Sequence, residues 1–184
     1  MTLSTKLISL IMALLFSTLL LAQVSNSEYA DDEDDDSSYQ ETDLPAVNLR
    51  SVENFDTLLA QARREGKIIL LEMSATDCGY CRTLEAEIIR PMLRSGDYDA
   101  TVLIRRLHID DYSTLKDFNG KPSSAAEIAR KMNIFVTPTL VFLDGNGNEV
   151  SKRIFGINTL EMFGGYVDAA LEEGLQTIGK HLRQ

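Results

Sequence analysis

The stretch Lys67-Ile68-Ile69-Leu70-Leu71-Glu72-Met73-Ser74-Ala75-Thr76-Asp77-Cys78-Gly79-Tyr80-Cys81 decides how this chain is read. Lys67–Met73 is an apolar run broken only by Glu72, the pattern of a strand buried on both faces. The run is followed at once by the only two cysteines of the protein, two residues apart, at the head of a helical pattern. A thiol at a helix start faces unpaired backbone N–H groups and the positive end of the helix dipole, and both favour the thiolate. The thiolate is the form that attacks disulfides. Cys81 follows one helical turn later on the same face, so it can resolve a mixed disulfide formed by Cys78. The structural alternative for the pair is a local clip.

Upstream, Ser51 is expected to cap a helix reaching about Glu65. Phe55, Leu58, Leu59 and Ala62 repeat at helical spacing, and Gly66 supplies the stop. Downstream, Cys81, Leu84 and Ile88 mark the inner face of the CxxC helix, which Arg90-Pro91 breaks or kinks. Thr101–Ile109 reads as the next strand, with Val102, Ile104 and Leu107 facing in. Asp110–Ser123 is polar and reads as a loop or lid. A helix over Ser124–Met132 and a strand over Thr139–Leu143 follow. Asp144-Gly145-Asn146-Gly147-Asn148 has the composition of a hairpin turn, with Glu149–Phe155 as the returning strand. Asn158 is expected to cap a last helix through about Gly174, weakened by Gly164-Gly165, with a further helical segment reaching Leu182. This order predicts an α/β domain with a mixed central sheet flanked by helices on both faces.

The ends of the chain read differently. Residues 7–22 form a sixteen-residue apolar run preceded by Lys6 alone. That is the layout of a secretory signal, and it is short of the roughly 20 residues of a membrane span. Cleavage after Ala22 is expected, with an uncut membrane anchor as the alternative. Residues 23–45 are expected to be an acidic, disordered linker: Glu28–Asp43 holds nine acidic residues and no basic one. Residues 46–184 form the single remaining domain. The chain carries a formal charge of −10, yet from Leu44 onward 19 acidic residues meet 17 basic ones. No basic stripe is present, so no nucleic-acid partner is expected.

Three more positions suit dithiol chemistry. Glu72 is a lone acid in a buried strand, six residues before Cys78. Burial raises the pKa of such a carboxyl, and it can then take the proton that Cys81 must lose. Thr137-Pro138 precedes a strand, where proline belongs. If that peptide bond is cis, Thr137 presents open backbone to an extended substrate segment; the alternative is an ordinary trans loop proline. Gly156, after the hairpin strand, would permit close backbone approach.

Together these residues resemble the thioredoxin superfamily over about Ser51 to Leu171. The resemblance implies that Cys78 is the nucleophile, that Cys81 resolves, that Glu72 stands where the family usually has a buried aspartate, and that Thr137-Pro138 matches its cis-proline loop. Gly79 and Tyr80, between the sulfurs, would meet substrate together with Thr137 and Pro138. Within the superfamily the chain is most similar to exported thioredoxin-like proteins, including those of sulfur-oxidation operons. It departs from thioredoxin in having Asp77 and Tyr80 where thioredoxin has tryptophan and proline, and in lacking tryptophan altogether. An anion beside Cys78 disfavours its thiolate, which points toward a reducing couple.

The expectation is therefore a periplasmic, monomeric thiol–disulfide reductase without cofactor or metal. Its substrates would be protein or small-thiol disulfides, and a membrane thiol carrier would supply electrons. The alternatives are a disulfide isomerase, a copper-binding module and a regulatory thioredoxin-like partner. Residues 23–50 are too short and acidic to build an isomerase's dimerisation domain. Neither His108 nor His181 is placed by spacing near Cys78 as a third metal ligand.

Overall fold

The computed structural model describes residues 46–181; the apolar run, the acidic segment and the expected helical end at Leu182 lie outside the described residues. The elements are α1 (Phe55–Glu65), β1 (Ile68–Ser74), α2 (Gly79–Leu84), a π-helical turn (Glu85–Ile89), α3 (Arg90–Ser95), β2 (Val102–His108), β3 (Thr114–Lys116), β4 (Pro122–Ser124), α4 (Ala125–Lys131), β5 (Thr139–Leu143), β6 (Ile154–Phe155) and α5 (Leu160–His181).

A four-stranded sheet runs in the order β2-β1-β5-β6. β1 pairs in parallel with β2 and antiparallel with β5, and β5 pairs antiparallel with β6, so the sheet is mixed. Every residue of β1 is buried, as expected of a central strand covered on both faces. Its side chains alternate between two cores. Ile69, Leu71 and Met73 join Phe55, Leu59 and Ala62 of α1 and Ile128 of α4. Ile68 and Leu70 face the other way, with Leu84, Ile89, Met92, Phe142 and Phe163. Each fully buried side chain of this kind contributes about 1.5–3 kcal/mol relative to an exposed one.

Several local expectations are corrected. Ser51 is not the first helix's cap: it bridges in extended conformation to Arg106, and Asn54 caps α1 by accepting from the Thr57 N–H at 3.2 Å. Gly66 ends that helix as expected, at φ 65° with its N–H on Ala62 O. The CxxC helix is not simply kinked at Pro91. It widens into a π turn first, and Pro91 then sits in the first turn of α3, where proline lacks no needed donor. A π turn adds a residue and rotates the faces that follow, so Ile89 is fully buried and Ile88 only half so.

Asp110–Ser123 is not a bare loop. Its second half folds into the β3–β4 ribbon, and Ser124 then caps α4 in a capping box with Glu127. The returning strand over Glu149–Phe155 shrinks to β6. Arg153 folds back onto the Glu149 carboxylate four residues earlier, which an extended strand would not allow. The last helix starts after Thr159 rather than at an Asn158 cap, and it runs unbroken through Gly164, Gly165 and Gly174. No helix among the described residues is long and apolar enough to cross a membrane.

Candidate active site

The end of β1 delivers the chain through Ala75-Thr76-Asp77 to Cys78. This turn is tied to the neighbouring strand's exit: the Thr76 N–H donates to Asp110 Oδ2 at 2.9 Å, a bond that holds the Asp110 carboxyl below its ordinary range. Cys78 is extended at φ −111° and ψ 101° and occupies the N-cap of α2, where its Sγ accepts from the Cys81 N–H at 3.1 Å. The two cysteines form a disulfide with their Cα atoms 5.2 Å apart. They are unequal: Cys78 keeps 9% of its surface and Cys81 1%.

Thr137, just before the β5 strand that pairs with β1, comes to the same place. The Thr137–Pro138 peptide bond is cis, and Thr137 Oγ1 lies 3.6 Å from Cys78 Sγ. Gly156 donates its N–H to Pro138 O at 2.8 Å from the end of β6. A Cβ on Gly156 would meet nothing within 4 Å, so its φ of +63°, not a close approach, calls for glycine there. Four exposed apolar side chains rim this corner by chain position: Tyr80 between the cysteines, Phe135 and Val136 before Thr137, and Phe155 before Gly156.

Glu72 is completely buried, and neither carboxyl oxygen has a hydrogen-bond partner. Burial, aided by the Glu85 charge, pushes its pKa up to about 8, against the opposing pull of the Arg106 cation and the Ser74 hydroxyl.

Glu85 and Arg106 are site-lining residues that sequence reasoning missed. Glu85 sits on the inner face of the CxxC helix, four residues after Cys81, and accepts Arg106 Nη1 on both oxygens at 2.9 and 3.1 Å. Arg106 stands opposite Glu72 in the parallel register of β1 and β2. The spacing from Cys81 to Glu85 could have flagged the acid; Arg106 needed the strand register.

A Thioredoxin-like domain family model matches residues 55–171. The chain belongs to the thioredoxin-like domain family. Thioredoxin H9 of Arabidopsis thaliana is 28% identical over 132 residues, covering 70% of this chain and 80% of that protein. The thiol:disulfide interchange protein DsbD of Cronobacter sakazakii is 28% identical over 116 residues, covering 61% of this chain and 18% of that much longer protein. Among solved structures, the DsbH oxidoreductase superposes with a TM-score of 0.51 at 17% identity, covering 69% of this chain and 88% of that one. The Malassezia sympodialis thioredoxin gives 0.50 at 17% identity, covering 72% and 95%. At that identity these two speak to the fold alone. Family membership and the paired cysteines make this thioredoxin-like protein a thiol–disulfide oxidoreductase.

Proposed function

We propose that this oxidoreductase works in the reducing direction, on disulfides of proteins or small thiols, outside the cytoplasm. The unequal exposure of the two sulfurs, with Thr137 Oγ1 3.6 Å from the more exposed one, carries the reading. In the reduced protein the Cys78 thiolate, held by the Cys81 N–H, attacks a substrate disulfide R–S–S–R′. A Cys78–S–S–R bond forms, and R′–S⁻ leaves and takes a proton from water. Cys81 then gives its proton to Glu72, and its thiolate attacks Cys78 Sγ. The intramolecular disulfide closes and R–S⁻ departs. Two electrons have passed from the protein dithiol to the substrate.

Thr137 and Pro138 would hold the extended substrate segment, with Gly79 and Tyr80 beside it. Asp77, exposed next to Cys78, opposes a strongly stabilised thiolate, which supports reduction over oxidation. The apolar run at residues 7–22 supports export to the periplasm. Similarity to the DsbD thiol:disulfide interchange protein supports a partner of thiol–disulfide interchange, a membrane thiol carrier in this reading, as electron donor.

Insulin reduction driven by a thiol reductant tests the activity. Wild type precipitates the insulin B chain, Cys78→Ser does not, and Cys81→Ser accumulates a mixed disulfide seen by mass spectrometry. The direction is read from the reduction potential, expected nearer to about −270 mV than to about −120 mV. A value above about −150 mV reverses it.

A further inference from the structure

Five buried polar atoms in β1 and β2 have no hydrogen-bond partner: both carboxyl oxygens of Glu72, Ser74 Oγ, Arg106 Nε and His108 Nδ1. They share one face. Residues two apart along a strand point the same way, and the parallel register sets Glu72 beside Arg106 and Ser74 beside His108. Ser74 stands two residues on from Glu72 on the same face of β1, and its hydroxyl dipole eases the Glu72 charge slightly although the two are beyond hydrogen-bond distance. His108, half-buried, closes the series and also lines a cavity of about 250 Å³ shared with Asp111 and Ser113, both exposed.

This layout answers a problem posed by the mechanism. Glu72 has no exposed surface, and the approach past Cys78 is covered while a substrate is disulfide-bonded there. Glu72, with its pKa at about 8, holds a proton at pH 7, and that proton needs another way out before the carboxylate can take the one Cys81 must lose.

We propose that Ser74 and His108 form a proton outlet carrying the Glu72 proton to the cavity beside Asp111. The inference rests on the dithiol mechanism proposed above. The Glu72 O–H bond breaks as Ser74 Oγ takes the proton, and Ser74 passes its own hydroxyl proton to His108 Nδ1. His108 releases the proton on its other ring nitrogen to solvent. One proton moves and no electrons do. Histidine suits this step because it exchanges protons near neutrality. Water bridges any gap longer than a hydrogen bond.

The surrounding charges favour outward movement. Arg106, paired with Glu85, repels an imidazolium that lingers, while Asp110 and Asp111 draw charge toward the surface. The β5 residue in register with Glu72 is the apolar Leu140.

The test is stopped-flow reaction of the reduced full chain with dithiobis(nitrobenzoate) at pH 7. Cys78 attack releases the first thionitrobenzoate and Cys81 resolution the second. His108→Ala leaves the first phase unchanged and slows the second on the order of tenfold, less than the loss of a direct acid–base group. Added imidazole restores the second phase. His108→Gln, which fills the site but does not titrate, is slowed in the same phase. An unchanged second phase in either variant, equal slowing of both phases, or slowing that imidazole leaves in place in His108→Ala overturns the outlet. Should the alanine variant not fold, the glutamine variant decides alone. A wild type with no second release removes the dithiol mechanism and the outlet with it; a two-phase wild type matched by its variants removes the outlet only.

Discussion

Replacing Glu72 with leucine should stabilise the oxidised protein, and by more at higher pH. The carboxyl is fully buried without a hydrogen bond, and its pKa stands at about 8 in the fold against an ordinary 4.5. The folded state thus binds this proton more tightly than the unfolded chain does. Below pH 4.5 the group is neutral in both states and costs nothing. Between 4.5 and about 8 the unfolded chain releases the proton while the fold retains it, and stability falls by about 1.4 kcal/mol per pH unit. Above that range the full cost, about 5 kcal/mol, is in place. At pH 7 it is about 3 kcal/mol. Leucine has no proton to lose, and whatever it gains or strains in packing is the same at every pH. The measurement is urea unfolding of oxidised wild type and Glu72→Leu at pH 5 and pH 9. The difference between them should widen by about 4 kcal/mol across that interval. A difference that stays constant would mean that Glu72 ionises freely in the fold, and the proton-acceptor role would lose its basis.

Other outcomes follow from local geometry. Arg106→Gln leaves the partly buried Glu85 carboxylate without its cation and should cost about 2–3 kcal/mol at neutral pH, somewhat less than for a fully buried pair. It should also raise the Glu72 pKa further, visible as an upward shift of the carboxyl infrared band's midpoint. Gly145→Ala would set a Cβ 2.6 Å from the Arg63 backbone; a loss of about 1–3 kcal/mol is expected in thermal melts of the oxidised protein. Ser124→Ala removes the capping box of α4 and should cost about 1 kcal/mol in urea unfolding, with no change in insulin reduction.

What could be read from the sequence was whatever depends on neighbours along the chain. β1 is legible from its apolar run, β5 from Thr139 to Leu143, the end of α1 from Gly66, and the dithiol from its spacing. Thr137-Pro138 is legible as a strand entrance. That it reaches Cys78 is a property of β5 lying next to β1, and the family resemblance supplied that expectation. The less legible parts depend on contacts across the fold. The π turn inserts a residue without any glycine or proline inside it to announce it, and so the helical period points to Ile88 where the fold buries Ile89. The Glu149–Arg153 pair overrides a plausible strand pattern. Arg106 looks like a surface cation in a strand until the register sets it beside Glu72, and Ser74 and His108 join the same layer for the same reason.

The two borders of the main sheet have a further consequence. β6 offers only Ile154 and Phe155, and beyond β2 the segment Arg50–Val52 already exchanges hydrogen bonds with Arg106. An unsatisfied strand border is where chains self-associate into aggregates, and both borders here are either clipped short or occupied. Copies of the chain thus find little free backbone at either border on which to stack into fibrils.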